Sequence, residues 1–213
     1  MEECILLYGD SLTAGFTDGG KAFSPYGTTL EAEVGVQVGV VGASGQSARE
    51  LLAVRDSSVL VETASTSIEW PGLATLIKPG CGAKLVVLLL GTNDLFKFLA
   101  KNDASAIAAD IEAMHTIAHD AGVRTVCVGI PGNGPCAVSE IGMDPLRIQV
   151  NTALERWAKS TGGNATFVPF PVAYGHGSAE EGWEPDGIHM NAGGYRKLGV
   201  ALAPVVKQLL INA

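Results

Sequence analysis

The sequence predicts an α/β fold, a three-layer α/β/α sandwich around a five-stranded parallel sheet. Three observations predict it: five strand-length apolar runs recur along the chain, most of them are continuous rather than alternating, and helical patterns lie between them. Continuous runs are what parallel strands covered on both faces require, and strand alternating with helix is what builds such a sheet. The runs are CILLY (4–8), VQVGVV (36–41), KLVVLLL (84–90), RTVCVGI (124–130) and ATFVPF (165–170).

The first run is of strand length, lacks a basic flank and leads straight into YGDSLTAG (8–15), so it reads as a strand and not as a targeting segment. Ahead of the fourth run, Ile107, Ile111, Met114, Ile117 and Ala121 follow helical spacing, with Asp110, Glu112 and His119 off the stripe. Asp144 and Pro145 predict an N-cap and first helical residue, leading into Leu146, Val150, Leu154 and Trp157, with Thr161-Gly162-Gly163 as the stop. The last helix opens at Asn191 and carries Tyr195, Leu198, Ala201, Leu202, Val205, Val206 and Leu209 on one side. Pro204 is expected to kink or break it. Residues 55–80 and 131–145, rich in Ser, Thr, Pro and Gly, read as irregular. With no internal repeat or linker, residues 1–213 read as one domain.

With 213 residues, 47% of them hydrophobic and 17% charged, the chain is long and apolar enough to bury a proper core. Its net charge is 14 − 22 = −8, a balance that repels phosphate backbones and anionic lipid and so argues against nucleic-acid or membrane-surface partners. No run has the length of a membrane span. Cys4, Cys81, Cys127 and Cys136 are scattered, with no CxxC pair; Cys4 and Cys127 sit in apolar runs and read as small buried hydrophobes. The expected setting is reducing and cytoplasmic.

In a sheet of this kind ligands bind beyond the carboxyl ends of the strands. Ser11 follows the first run, Gly42 the second and Asn93 the third, while Asp186 and His189 follow the fifth, so all five are expected on one edge. A serine hydroxyl becomes a useful nucleophile when a neutral imidazole removes its proton, and the imidazole needs an acceptor on its other nitrogen. EPDGIHMN (184–191) supplies both groups, a carboxylate at Asp186 and an imidazole at His189. A tetrahedral oxyanion needs preorganised donors. The backbone N–H of Ser11, the backbone N–H of Gly42 and the side-chain amide of Asn93 are of the right type. A D-x-x-H pair arises by chance in about half of chains this long, whereas the four letters GDSL arise in roughly one in a thousand. The order of the pieces, each at a strand end, carries the argument.

Over nearly its whole length the chain resembles the GDSL, or SGNH, hydrolase superfamily. The matching blocks are GDSLTAG (9–15), GASG (42–45), GTND (91–94) and DGIH (186–189). The resemblance implies Ser11 as nucleophile, Gly42 and Asn93 as oxyanion donors with the Ser11 N–H, His189 as base and Asp186 as the acid that orients it. GTNDLFKF and DGIHMNAGGYRKLGVAL are most similar to bacterial arylesterases and related acetyl esterases and acyltransferases. The G-x-S-x-G elbow of ordinary α/β-hydrolases is absent.

Other residues have competing readings. A Ser after a strand is by itself commonly a helix N-cap, a reading that the three accompanying blocks reverse. Asp10 and Asp94 read as loop-holding carboxylates that accept from backbone N–H groups. His115 and His119 have the i, i+4 spacing of a metal pair, but Thr-Ile-Ala lies between them and no third ligand is evident, so they read as a solvated helix face and no metal or other cofactor is expected. His176 either lines the site or faces solvent, and Trp183 either walls the substrate pocket or packs in the core. GNGP (132–135) lacks the Lys and Ser/Thr of a phosphate loop.

The sequence therefore predicts a serine esterase acting on small ester substrates with short acyl chains, since no insertion is long enough for a lid. A deacetylase of acetylated carbohydrates, or an acyltransferase with the same triad, is the alternative; only Trp70, Trp157 and Trp183 are available to wall a sugar site. A non-catalytic flavodoxin-like binding module is the rival from another class. A homo-oligomer is an open expectation, with residues 55–80 as its contact.

Overall fold

The computed structural model describes residues 4–64, 66–98, 103–132, 143–174 and 182–211. Five strands form the main sheet: β1 (Cys4–Gly9), β4 (Gln37–Gly42), β7 (Ala83–Leu89), β8 (Arg124–Val128) and β9 (Ala165–Val168), in the spatial order β4-β1-β7-β8-β9. Every pairing is parallel. The chain first winds outward from β1 to β4, then crosses back to β7. The order therefore reverses between β1 and β7, and a crevice opens beyond their carboxyl ends.

The continuous apolar runs are explained by two cores. Along β1, Ile5 and Leu7 point into one cluster with Leu85, Val87 and Leu89 of β7, whereas Leu6 and Tyr8 point into the other with Val86 and Leu88. The first cluster is closed by α2 (Tyr26–Val34) and α8 (Ala192–Ile211), through Tyr26, Leu30, Leu198, Leu202 and Val206. The second is closed by α3 (Ala48–Ala53), α6 (Ala104–Asp120) and α7 (Met143–Ser160), through Leu51, Ile111, Met114 and Leu154. Successive side chains of a strand face opposite ways, so a strand between two helical layers has no solvent side to keep polar.

Several expectations are corrected. Residues 55–80 are not irregular: they hold an antiparallel hairpin, β5 (Ser58–Glu62) and β6 (Ser67–Pro71), followed by the one-turn helix α4 (Leu73–Leu76). This ribbon lies outside the main sheet and buries little more than Val59, so no hydrophobic periodicity announces it. A second small hairpin, β2 (Phe16–Thr17) with β3 (Ala22–Phe23), follows the one-turn helix α1 (Ser11–Ala14). Helix α7 begins at Met143, not at Pro145, and the Asp144 carboxylate, inside its first turn, takes the Arg147 side chain at 2.6–2.7 Å. Helix α8 runs unbroken through Pro204, which is exposed. The carbonyl that Pro204 leaves without an N–H is that of Val200, which lies with Pro204 on the exposed side of the helix.

Candidate active site

The residue that carries the candidate nucleophile is set by what happens at the end of β1. Asp10 is the N-cap of α1: its side chain accepts from the Leu12 N–H at 3.0 Å and its carbonyl accepts from Thr13 and Ala14 at 3.0 Å. Ser11 is thereby held at the first helical position, nearly buried, with its hydroxyl on the crevice side. The Asp10 carboxyl itself is buried beneath the turn. Burial pushes it up to about 7 against its bond from Leu12, and the nearby Asp94 carboxylate pushes the same way.

On the far side of the crevice lies the loop between β9 and α8. His189 Nε2 is 2.9 Å from Ser11 Oγ, and His189 Nδ1 is 2.7 Å from Asp186 Oδ2. A carboxylate accepts only, so Nδ1 carries the proton and Nε2 offers its lone pair to the serine hydroxyl. The other Asp186 oxygen accepts from the backbone N–H of Ile188 and His189 at 2.8 and 2.9 Å. Partial burial works to raise this carboxyl, but the bonds from the His189 side chain and from these two N–H groups outweigh it and hold it below its ordinary value. Three residues of separation let one turn carry both the acid and the base.

This loop is braced from below. Glu184 N–H donates to the His189 carbonyl at 2.8 Å, and Asn191 N–H donates to the Gly182 carbonyl at 3.0 Å. The small hairpin after α1 holds it from the side: the Thr17 hydroxyl donates to Glu184, Tyr195 Oη donates to the Phe16 carbonyl at 2.9 Å, and the Phe16 ring lies 4.4 Å from the His189 ring, centroid to centroid. Phe16 went unnoticed in the sequence because its role rests on a ring contact between residues far apart in the chain.

The oxyanion side needs one correction. Gly42 is the last residue of β4 and sits beneath α1, where an added Cβ would come within 2.2 Å of the Ala14 nitrogen. It does not line the crevice. Gly45 does, together with Ser11, Phe16, Asn93, Phe96 and His189, around a volume of about 430 Å³. Gly45 has φ +75 at the third position of a turn closed by Gln46 N–H to the Ala43 carbonyl at 3.2 Å, and its own N–H takes no partner among the described residues. Both glycines belong to the GASG block, and only the chain's path past α1 separates their positions. Asn93 lies in the crevice with its amide donating to Asp10 Oδ2 at 3.2 Å and to the Gln46 carbonyl at 3.1 Å. A larger hollow, of about 810 Å³, opens between α7 and the ends of β8 and β9, and it contains none of these groups.

Trp183 is corrected too. It is buried, donates from Nε1 to the Ala173 carbonyl at 2.9 Å and packs edge-on against Tyr174, so it supports the loop of Asp186 and His189 from the core and does not wall the crevice. His176 lies outside the described residues. The solvated-face reading fails for His115, which is fully buried with Nδ1 2.8 Å from Thr125 Oγ1; it stands four residues after Ile111 on the buried stripe, a spacing the sequence carried. His119 reaches the same hydroxyl at 3.0 Å. Among the described residues no group of three His, Cys, Asp or Glu is placed to hold a metal ion. Asp94 holds no loop of its own: it lies in the helix Thr92–Phe98 and accepts from the Ala48 N–H at 3.0 and 3.2 Å, tying that helix to the start of α3. No helix among the described residues is long and apolar enough to cross a membrane.

Residues 7–197 match the GDSL-like lipase/acylhydrolase family. No curated protein matches the chain in sequence. Among solved structures, the chain is similar to a family 3 carbohydrate esterase from Clostridium thermocellum, with 18% identity, TM-score 0.68 and coverage of 99% of this chain and 98% of that one. A family 3 carbohydrate esterase from Talaromyces cellulolyticus gives 18% identity, TM-score 0.66 and 99% coverage of both chains. A GDSL-like lipase from Bacteroides thetaiotaomicron gives 18%, 0.64, and 99% and 88%. At these identities the likeness is one of fold.

Proposed function

The chain belongs to the GDSL-like lipase/acylhydrolase family, and from that premise we propose that it is a serine esterase that hydrolyses short-chain carboxylic esters through an acyl-enzyme on Ser11. The observation that carries the proposal is the chain of short contacts from Ser11 Oγ through His189 to Asp186, 2.9 and 2.7 Å long. Ser11 Oγ attacks the ester carbonyl carbon as His189 Nε2 takes the hydroxyl proton, and Asp186 stabilises the imidazolium. The carbonyl oxygen, now an oxyanion, is met by the N–H groups of Ser11 and Gly45 and by the Asn93 amide, whose long bond to Asp10 is the one it gives up. The tetrahedral adduct collapses: the bond to the alcohol oxygen breaks, and His189 returns the proton to that oxygen. Water then attacks the acyl-Ser11 ester by the same proton path, releasing the acid. Phe16, Phe96 and Ile188 give the crevice apolar walls, and its volume of about 430 Å³ suits a small acyl group.

A fluorophosphonate probe should label the wild-type chain and leave Ser11→Ala unlabelled. A panel of p-nitrophenyl esters of rising acyl length, run beside phenyl acetate and acetylated sugars, should show rates highest at the shortest acyl chains. Acetylated sugars turned over faster than any aryl ester would instead make it a carbohydrate deacetylase. Absence of labelling, with no turnover of any ester, would leave a binding module on the same fold.

A further inference from the structure

Helix α5 (Thr92–Phe98) does more than present Asn93. Asn93 and Lys97, four residues apart, share one helix face and reach successive carbonyls of the loop between β4 and α3. Asn93 Nδ2 donates to the Gln46 carbonyl at 3.1 Å, and Lys97 Nζ donates to the Gly45 carbonyl at 2.8 Å. Lys97 Nζ also lies 2.5 Å from Glu50 Oε2, on the carboxylate that completes the capping box of α3 with Ser47. Gly45 has little else to hold it. It is exposed, and a Cβ built on it would meet nothing within 4 Å. A glycine in open space ranges over more backbone conformations than any other residue, so hydrogen bonds alone must set the direction of its peptide groups.

We infer that Lys97 is a positioning residue for the oxyanion hole: by holding the Gly45 carbonyl, beside the Gln46 carbonyl held by Asn93, its ammonium pins the Ala43–Gln46 turn whose Gly45 N–H is to serve the oxygen of the Ser11 adduct. The inference rests on the serine-esterase reading. It is distinct from a role in binding an anionic substrate, because the ammonium already faces the Glu50 carboxylate. That carboxyl is pulled down to about 2, first by its bond from Lys97 and then by the Ser47 backbone. The ion pair is substantially exposed on both sides, so it adds little to stability, and its loss should be read in rate and not in melting.

The test compares the full-length wild type, Lys97→Met, Lys97→Arg and Ser11→Ala on p-nitrophenyl acetate, well below the melting temperature of each. Lys97→Met should lower kcat by about tenfold with KM within about twofold, since a preorganised donor is lost only where charge develops. Its affinity for a boronic acid, which forms a tetrahedral adduct on Ser11, should fall by a similar factor. Lys97→Arg should recover most of the rate, because a guanidinium can reach the same carbonyl and carboxylate. An unchanged kcat overturns the inference. So does an effect on KM alone, or one confined to an anionic ester such as p-nitrophenyl hemisuccinate, either of which makes Lys97 a substrate contact. Failure of the underlying reading looks different: Ser11→Ala then keeps the wild-type rate, and the role of Lys97 falls with it.

Discussion

At the scale of single residues, the crevice places one hydroxyl, one imidazole and one carboxylate in line, and each position has a local cause. Asp10 holds Ser11 at the start of α1, and Asp186 uses one oxygen to cap its own turn and the other to hold His189. Ser11→Ala should lower kcat by at least about a thousandfold, leaving the small residual catalysis that oxyanion donors alone supply; a variant that kept a tenth of the wild-type rate would remove Ser11 from the chemistry. His189→Ala should likewise lower kcat by about a thousandfold or more, and a variant that kept a tenth of the wild-type rate would assign the base elsewhere. GDSL and DGIH are legible in the sequence because both the bonding partners and the turns they need lie within a few residues. Gly45, Phe16 and Lys97 are not, because each meets a neighbour that the fold brings in from another segment.

At the scale of elements, amphipathic spacing on α8 predicts which positions matter for stability. Leu202 is fully buried between the sheet and α2, whereas Val200, two residues away, is half exposed. Leu202→Ala should cost about 2–5 kcal/mol in urea unfolding, and Val200→Ala less than about 1 kcal/mol. Equal costs would mean that α8 is packed differently. The same argument shows where periodicity misleads. On α6 the stripe Ile107, Ile111, Met114 points correctly into the core, yet its continuation is His115 and Ala118, with Ile117 and Ala121 only partly covered. A histidine can occupy such a position when a neighbour hydrogen-bonds to one of its ring nitrogens, as the Thr125 hydroxyl on β8 does with Nδ1. The hairpin of β5 and β6 escaped notice for the opposite reason: Leu60, Ile68 and Trp70 are apolar but exposed, so burial imposes no pattern on them.

Across the whole molecule, buried ionisable groups at the two edges of the sheet respond to acid in opposite directions. Asp10, beneath the crevice, titrates near 7 in the folded chain, above the ordinary carboxyl range. Between about pH 4 and 7 the folded chain therefore holds a proton there that the unfolded chain does not, and stability through this group rises as pH falls. Asn mimics the neutral acid, so the deficit of Asp10→Asn relative to wild type should grow as urea titrations move from pH 7 to 4. A deficit that stayed constant would mean that Asp10 is ionised when folded. His115, near the amino-terminal edge, is pushed down to about 3, chiefly by burial and then by His119. Between about pH 6.5 and 3 the unfolded chain binds the extra proton, so this group costs stability as pH falls. His115→Gln should accordingly gain on wild type over that interval, and parallel curves would show that the ring is protonated in the core.

By itself the sequence determined the parallel α/β architecture, the five strands and the two short segments that hold the hydroxyl, the imidazole and the carboxylate. These features depend on contacts within a few residues or on burial repeated along an element, and both leave a pattern in the order of residues. The crossing from β4 back over β1 to β7 then set those segments facing one another across a crevice. Only tertiary structure decided that Gly45 and not Gly42 lines that crevice, that Trp183 supports the loop from the core, and that His115 is enclosed. Each of those outcomes turns on which distant surface a side chain or a peptide group meets. Such a meeting is settled by the packing of whole layers and leaves no periodic trace along the chain.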